Sequence, residues 1–403
     1  MMPPSVADRL RSPGALVAAC GLAYLPFTLL GYGTDIDVAN VLRAGRSWLD
    51  DGSYRLSRGP GAAIHEVSTA ALDRVGGSVL VNVAAVAFAA LALWSVHALV
   101  THEGGGHPRA AVLVLATNPW FWIAATSLGD FVWALGLFLA GAAAAQRDRR
   151  LLAGALFGLA IGSRASSGLL VAAWLIGEVA GSPAERGRRR WRGVIVTASV
   201  TLVVGLAGFV PPWLDAGRTF AFLDNELAFE GMRVHAGRWA VKNVAVIGLP
   251  AGVVLLLGWR QMGGAVGRWG TSTLVRFAVV ALVAIELLFF RLPFKPLHLL
   301  PVVACVAVLV GSAPRLQHRW LVALLVAQVL GGVVGTTLAA PDVEDAAQSG
   351  RVALGLRAGP LLTDVRCRLD DRARGPWPPA EMPAATRRAD ANADCQNRAW
   401  RAR

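Results

Sequence analysis

Charge is scarce in this chain of 403 residues, where Asp, Glu, Lys and Arg together make up 16%. Lysine is scarcer still: Lys242 and Lys295 are the only two among 39 basic residues. Several motifs are absent as well. There is no Walker-type phosphate loop, no dinucleotide-binding glycine fingerprint, no G-x-S-x-G and no H-E-x-x-H. These absences remove P-loop hydrolysis, Rossmann redox chemistry, α/β-hydrolase chemistry and zincin chemistry. A soluble globular domain is excluded from the other side, because 55% of the residues are hydrophobic and the mean hydropathy is +0.51, with the apolar residues in blocks instead of periodic stripes.

What is present is a series of apolar blocks of transmembrane length, each able to cross a hydrocarbon core about 30 Å thick. The expected fold class is an all-α polytopic membrane protein with about 11 transmembrane helices. A formal charge of +13 does not point to nucleic acid, because most arginines fall in short loops and in the C-terminal tail, where they set orientation. The boundaries expected are a cytoplasmic N-terminus over 1–14, a transmembrane core over 15–338 and an extracytoplasmic tail over 339–403. Within the core, 34–77 forms the first outer loop and 214–243 the second. The protein is therefore expected in the plasma membrane, N-terminus inside and C-terminus outside.

Four further expectations concern local structure. Pro211-Pro212 ends the seventh span, since proline lacks the N–H and restricts its predecessor, and the eighth runs from Val244 to Trp259. Residues 151–181 form two short passes, with Arg164 at the tip. Glu178 reads as a solvated helix end. Cys20 and Cys305 lie in apolar spans and read as packing residues, whereas Cys367 and Cys395, in a tail outside the cytoplasm, form either a disulfide or two free thiols.

The richest polar stretch is the first outer loop, Thr34 to Glu66. Val41, Leu42, Trp48 and Leu49 follow Val38 at offsets of three, four, ten and eleven, the pattern of an amphipathic helix. It should rest on the membrane surface with Trp48 at headgroup level. Thr34 suits its N-cap, with Asp37 completing a capping box, so Asp35 and Asp37 have a purely helix-stabilising reading. Their functional reading is a general base acting on an acceptor hydroxyl. The Ser57-Arg58-Gly59-Pro60-Gly61 turn offers a cation and backbone N–H groups to a phosphate or sugar, and His65-Glu66 follow at once. Arg164, Lys295 and His298 arrive at the same face. An ionised side chain at mid-membrane depth costs at least about 2.5–3.5 kcal/mol, so Arg164, at a Gly-Ser break, reads as an anion-binding residue or as a snorkelling arginine. No metal site is assigned; a divalent cation on Asp35, Asp37 and His65 is a minor alternative.

The order of these features resembles the GT-C superfamily of integral-membrane glycosyltransferases, in the group of protein mannosyltransferase-like and aminoarabinose transferase-like enzymes. The resemblance is carried by the acidic opening of the first outer loop, the amphipathic helix, Tyr54 to Gly61 with His65-Glu66, Asn118-Pro119-Trp120-Phe121-Trp122, Gly158 to Arg164, and Lys295 to Pro301. It implies an inverting enzyme without a resident cofactor. A sugar, mannose or another pentose or hexose, passes from a polyprenyl phosphate to a glycan, lipid or protein acceptor of the envelope. By the same resemblance Asp35 or Asp37 is the catalytic base, and Arg58 and Arg164 meet the lipid phosphate. The alternatives are a transporter or lipid flippase, or a non-catalytic membrane subunit of an envelope-assembly complex.

Overall fold

A computed structural model describes residues 12–181, 188–219, 232–337 and 355–398. The chain opens with α1 (Pro13–Tyr24) and a 3-10 turn over Leu25–Leu30, then α2 (Val38–Asp51) and the long α3 (Ala63–His102). Next come α4 (Pro108–Ala116), α5 (Pro119–Ala125), α6 (Asp130–Gln146), α7 (Arg150–Ser163), α8 (Ser167–Val179) and α9 (Arg188–Asp215). The second half holds α10 (Met232–Ile247), α11 (Leu249–Leu257), α12 (Trp259–Val266), α13 (Thr273–Arg291), α14 (Leu300–Gly311) and α15 (His318–Val333). A two-stranded antiparallel ribbon, β1 (Val334–Thr337) with β2 (Gly355–Ala358), leads to α16 (Pro360–Ala373) and α17 (Pro383–Arg398).

This is a multi-pass membrane protein. Among the described residues four helices are long and apolar enough to cross a membrane, and six if each of two bent pairs counts as one span. Four shorter apolar helices, α7, α8, α14 with its preceding 3-10 turn, and α15, accompany them. The bends have local causes. Asn118 accepts hydrogen bonds from the N–H groups of Trp120 and Phe121, with Pro119 at the first helical position, so α5 starts afresh after α4. Pair α5–α6 is bent by 98°, and pair α10–α11 by 83° at Gly248, whose φ is +80°. The expected unbroken eighth span, Val244 to Trp259, is thus two helices. The stretch expected as the second outer loop, 214–243, holds the end of α9 at Asp215 and the start of α10 from Met232; Asp224, Glu226 and Glu230 lie outside the described residues.

Two other expectations change. The α9 helix passes through Pro211 and Pro212 to Asp215, a continuation that membrane helices tolerate when neighbours re-satisfy the freed carbonyls. Glu178 is buried, and both its oxygens accept from Arg150 Nη1 at 2.8 Å; it is an ion-pair member, not a solvated end.

Small residues bring the helices beneath the site together. Gly154, Gly158 and Gly162 of α7 face Val200, Val204 and Gly208 of α9, and a Cβ on Gly158 would lie 2.5 Å from that of Val204. Such stripes replace hydrophobic driving force with close backbone packing in lipid. They hold rigid the helix whose end presents Arg164.

Candidate active site

The α2 helix forms where its periodicity predicts, but its apolar face is not free for lipid. Val38, Val41 and Leu42 pack with Tyr32, Val81 and Leu128, and Ala39 packs against Ala385 and Ala389 of α17. The N-cap position belongs to Asp37, whose side chain makes no capping bond. Thr34 instead donates to Asp364 Oδ1 at 2.8 Å. The helix-capping reading of Thr34 is therefore corrected, and the two aspartates are released for other partners.

Those partners form one chain of charges. Lys295 Nζ donates to Asp35 Oδ1 at 2.6 Å and to Asp37 Oδ2 at 2.7 Å. Arg58 donates to Asp37 Oδ2 at 2.7 Å and, from its other nitrogen, to Asp130 Oδ2 at 2.6 Å. Arg164 closes the row on Asp130 Oδ1 at 2.8 Å. The row alternates three cations with three carboxylates drawn from four separate parts of the chain. Burial raises the Asp37 carboxyl, but the charges of Lys295 and Arg58 outweigh it and hold its pKa below the usual range. Asp37 is therefore ionised at neutral pH. Among the described residues each aspartate is held through one oxygen, Asp37 through Oδ2 and Asp35 through Oδ1, which also accepts the Asp37 N–H at 2.8 Å.

The supports of this row are visible. Arg164 lies between α7 and α8 as the hairpin reading expects, and its guanidinium stacks on the Phe131 ring at 3.9 Å. Asn82 of α3 donates to the carbonyls of Thr28 and Gly31 at 3.0 and 2.7 Å, fixing the entry to the Asp35 loop. Glu66 does not join the row; it accepts from the hydroxyls of Tyr54 and Ser57 and pins the turn that carries Arg58. His65 is fully buried, edge-on to Trp133 with centroids 5.3 Å apart and near Thr69. His298 packs against Phe131, the ring on which Arg164 stacks, with centroids 5.4 Å apart. Asp130 is the member that motif reading left outside the site. Its signal was available, an acid at the start of an apolar helix, but a first-turn acid is also an ordinary helix stabiliser.

Beside Arg164, a small cleft opens between α6, α8 and the start of α14, walled by Phe131, Leu170, Leu297, Leu300 and Pro301. Arg164, Ser166 and Ser167 form its polar side and the remaining lining is apolar. Among the described residues no group of three His, Cys, Asp or Glu side chains is arranged to hold a metal ion.

Two crystal structures of ArnT from Cupriavidus metallidurans are similar to this chain in fold. The one bound to undecaprenyl phosphate gives a TM-score of 0.63 and the apo form 0.58, each at 16% identity and covering 98% of this chain and 77% of ArnT. At that identity the likeness is one of fold: the chain shares the ArnT fold. No family model and no curated protein sequence matches the chain. The row is assembled from the first loop, the α5–α6 bend, the α7–α8 tip and the turn before α14, which this fold gathers from distant parts of the chain.

Proposed function

We propose that this chain is a polyprenyl-phosphate-dependent glycosyltransferase that works at the extracytoplasmic membrane face. The observation that carries the reading is the alternating row of Lys295, Asp35, Asp37, Arg58, Asp130 and Arg164 beside an apolar cleft. A lipid phosphate has the matching form, an anionic head on a long apolar chain. Undecaprenyl phosphate bound to ArnT gives the chemical precedent.

In this reading the acceptor hydroxyl approaches Asp35 or Asp37, which takes its proton as the new bond to the sugar C1 forms on the face opposite the phosphate. The C1–phosphate oxygen bond breaks, and the electron pair leaves with the lipid phosphate. Arg58 and Arg164 stabilise that leaving charge, and guanidinium forks suit it because each can meet two phosphate oxygens. Lys295 bridges the two aspartates through one oxygen of each, Asp35 Oδ1 and Asp37 Oδ2, so either carboxylate has its second oxygen to offer to the hydroxyl. Lys295 and Arg58 supply the positive charge that a metal ion would otherwise bring beside these carboxylates. The sugar is mannose or another pentose or hexose, and the acceptor is an envelope glycan, lipid or protein.

The test is to incubate purified protein with radiolabelled polyprenyl-phosphate sugars and envelope extract, alongside Asp35→Asn and Asp37→Asn. Loss of a general base costs about 100-fold to 10,000-fold in rate. Near-normal transfer by both variants rejects the carboxylate mechanism, and no transfer by wild type from any such donor rejects the function.

A further inference from the structure

The described part of the tail is a helix pair, α16 and α17, closed by a Cys367–Cys395 disulfide. Free-thiol readings of these two residues are thereby set aside.

The contacts of this pair converge on two loops. Asp364 and Arg368 lie one turn apart on α16, each 1% exposed. Their own ion pair is long, 3.6 Å, because each directs its best hydrogen bonds elsewhere. Asp364 accepts from Thr34, the residue before Asp35. Arg368 donates to the backbone carbonyl of Thr126 and, at 3.4 Å, to its hydroxyl and to the carbonyl of Phe27. Thr126 opens the short bend that delivers Asp130. The two loops are also tied directly, by the Leu128 N–H to the Tyr32 carbonyl at 2.8 Å, and Gly33 lies so close to Ser127 that a Cβ there would approach within 2.6 Å.

The second helix of the pair reaches the other side of the same loop. Arg43 of α2 donates to Thr386 at 2.9 Å, and Ala385 and Ala389 pack on Ala39. Between the helices, Asp371 accepts from Trp377 at 2.8 Å and Arg388 at 2.7 Å, and the Trp377 ring stands edge-on to Tyr32. The pair thus grips the segment carrying Asp35 and Asp37 from both ends and the segment before Asp130 from one.

We propose that the disulfide-closed α16–α17 pair is a clamp that sets the reacting geometry, with Asp364 and Arg368 as positioning residues for the loops of Asp35 and Asp130. The clamp touches neither cation nor carboxylate of the row, so it acts only through the two loops. Its effect on transfer rests on the glycosyltransferase reading; its effect on the loops does not.

The experiment compares full-length wild type, Thr34→Val, Thr34→Ser and a Cys367→Ser/Cys395→Ser double variant in detergent, by backbone hydrogen exchange and by transfer kinetics with radiolabelled polyprenyl-phosphate sugars. Thr34→Val is nearly isosteric and removes the hydroxyl, whereas Thr34→Ser keeps it. The expected result is faster exchange over 32–37 and 126–130 in Thr34→Val and in the cysteine variant. Turnover should fall on the order of 10- to 100-fold, the cost of misplacing reacting groups by about 1 Å, while the donor KM stays near wild type. Thr34→Ser should restore both. Where Thr34→Val does not fold, wild type treated with dithiothreitol takes its place. Unchanged exchange in the two segments overturns the clamp, and so does faster exchange with full turnover. A wild type that transfers no sugar refutes the functional reading alone, because exchange still decides whether the pair holds the loops.

Discussion

Replacement of Asp130 by Asn separates the ion-pair role of Arg58 and Arg164 from the phosphate-binding role proposed for them. Their guanidiniums are held by the Asp130 carboxylate at 2.6 and 2.8 Å. In the proposed reaction a lipid phosphate competes with that carboxylate for the same donors. Asp130 has a side-chain exposure of 2%, against 25% for Arg58 and 15% for Arg164. Removing one member of a buried ion pair costs about 3–5 kcal/mol, and the partial exposure of the arginines places this case near the lower end. The variant should therefore melt earlier than wild type when no ligand is present. With the competitor gone, undecaprenyl phosphate should bind more tightly, and each tenfold gain in affinity adds about 1.4 kcal/mol of stabilisation at a fixed saturating concentration. The assay is thermal unfolding of detergent-purified wild type and Asp130→Asn over a titration of undecaprenyl phosphate, with undecaprenol as the uncharged control. The expected result is a larger ligand-induced rise in melting temperature for the variant, and none for either protein with undecaprenol. If the phosphate stabilises the variant no more than wild type, Arg58 and Arg164 are a structural pair of Asp130 and not the phosphate site.

Other consequences follow from the same row. Arg164→Lys keeps the charge but loses the fork, and forfeiting one charge-assisted hydrogen bond of about 1.5–3 kcal/mol should raise the donor KM roughly tenfold or more, with turnover less affected; steady-state kinetics with varied donor check this. Because Lys295 and Arg58 hold the Asp37 carboxyl low against burial, their pairing stabilises the fold fully above the unfolded aspartate value of about 3.9 and is lost as pH falls through the lower folded value. Lys295→Met should move the acid-side fall in melting temperature to higher pH, and with it the acid limb of the transfer rate; a profile that coincides with wild type refutes the pairing. Lys242 donates to the carbonyl of Pro293 at 2.5 Å and to that of Phe294, holding the turn that presents Lys295. Lys242→Met should shift the same acid limb in the same direction by a smaller amount, read from the same pH series.

Much of the site was legible because the chemistry left few ways to arrange scarce charges in an apolar chain. Asp35, Asp37, Arg58, Arg164 and Lys295 stand out in sequence as polar groups next to apolar spans, and all five join one network. The period of α2 was readable for the ordinary reason that its buried face repeats at helical spacing. What covers that face was not readable, because a helix resting on lipid and a helix resting on α17 have the same apolar stripe. His65 and Glu66 show the corresponding limit for polar groups: adjacent on one helix, they point in different directions, one towards Trp133 and the other towards Tyr54 and Ser57.

The bends explain the remaining gap. Proline and glycine mark where a helix can break, but whether it does depends on who receives the freed backbone groups. At Asn118-Pro119 the asparagine side chain supplies a new cap and the helix restarts, whereas α9 carries Pro211-Pro212 without stopping and ends only at Asp215. Asp215 then accepts the Leu56 N–H at 3.1 Å, so the extra turn past the prolines reaches the loop that bears Arg58. An α9 that stopped at Pro211 would remove the Asp215 tether on the backbone of that loop and leave it held through side chains, Tyr54 and Ser57 on Glu66 and Arg58 on Asp37 and Asp130. The uninterrupted helix is thus part of how the site is held, and the physical cause lies in a contact 159 residues away in sequence that no local reading of a proline pair contains.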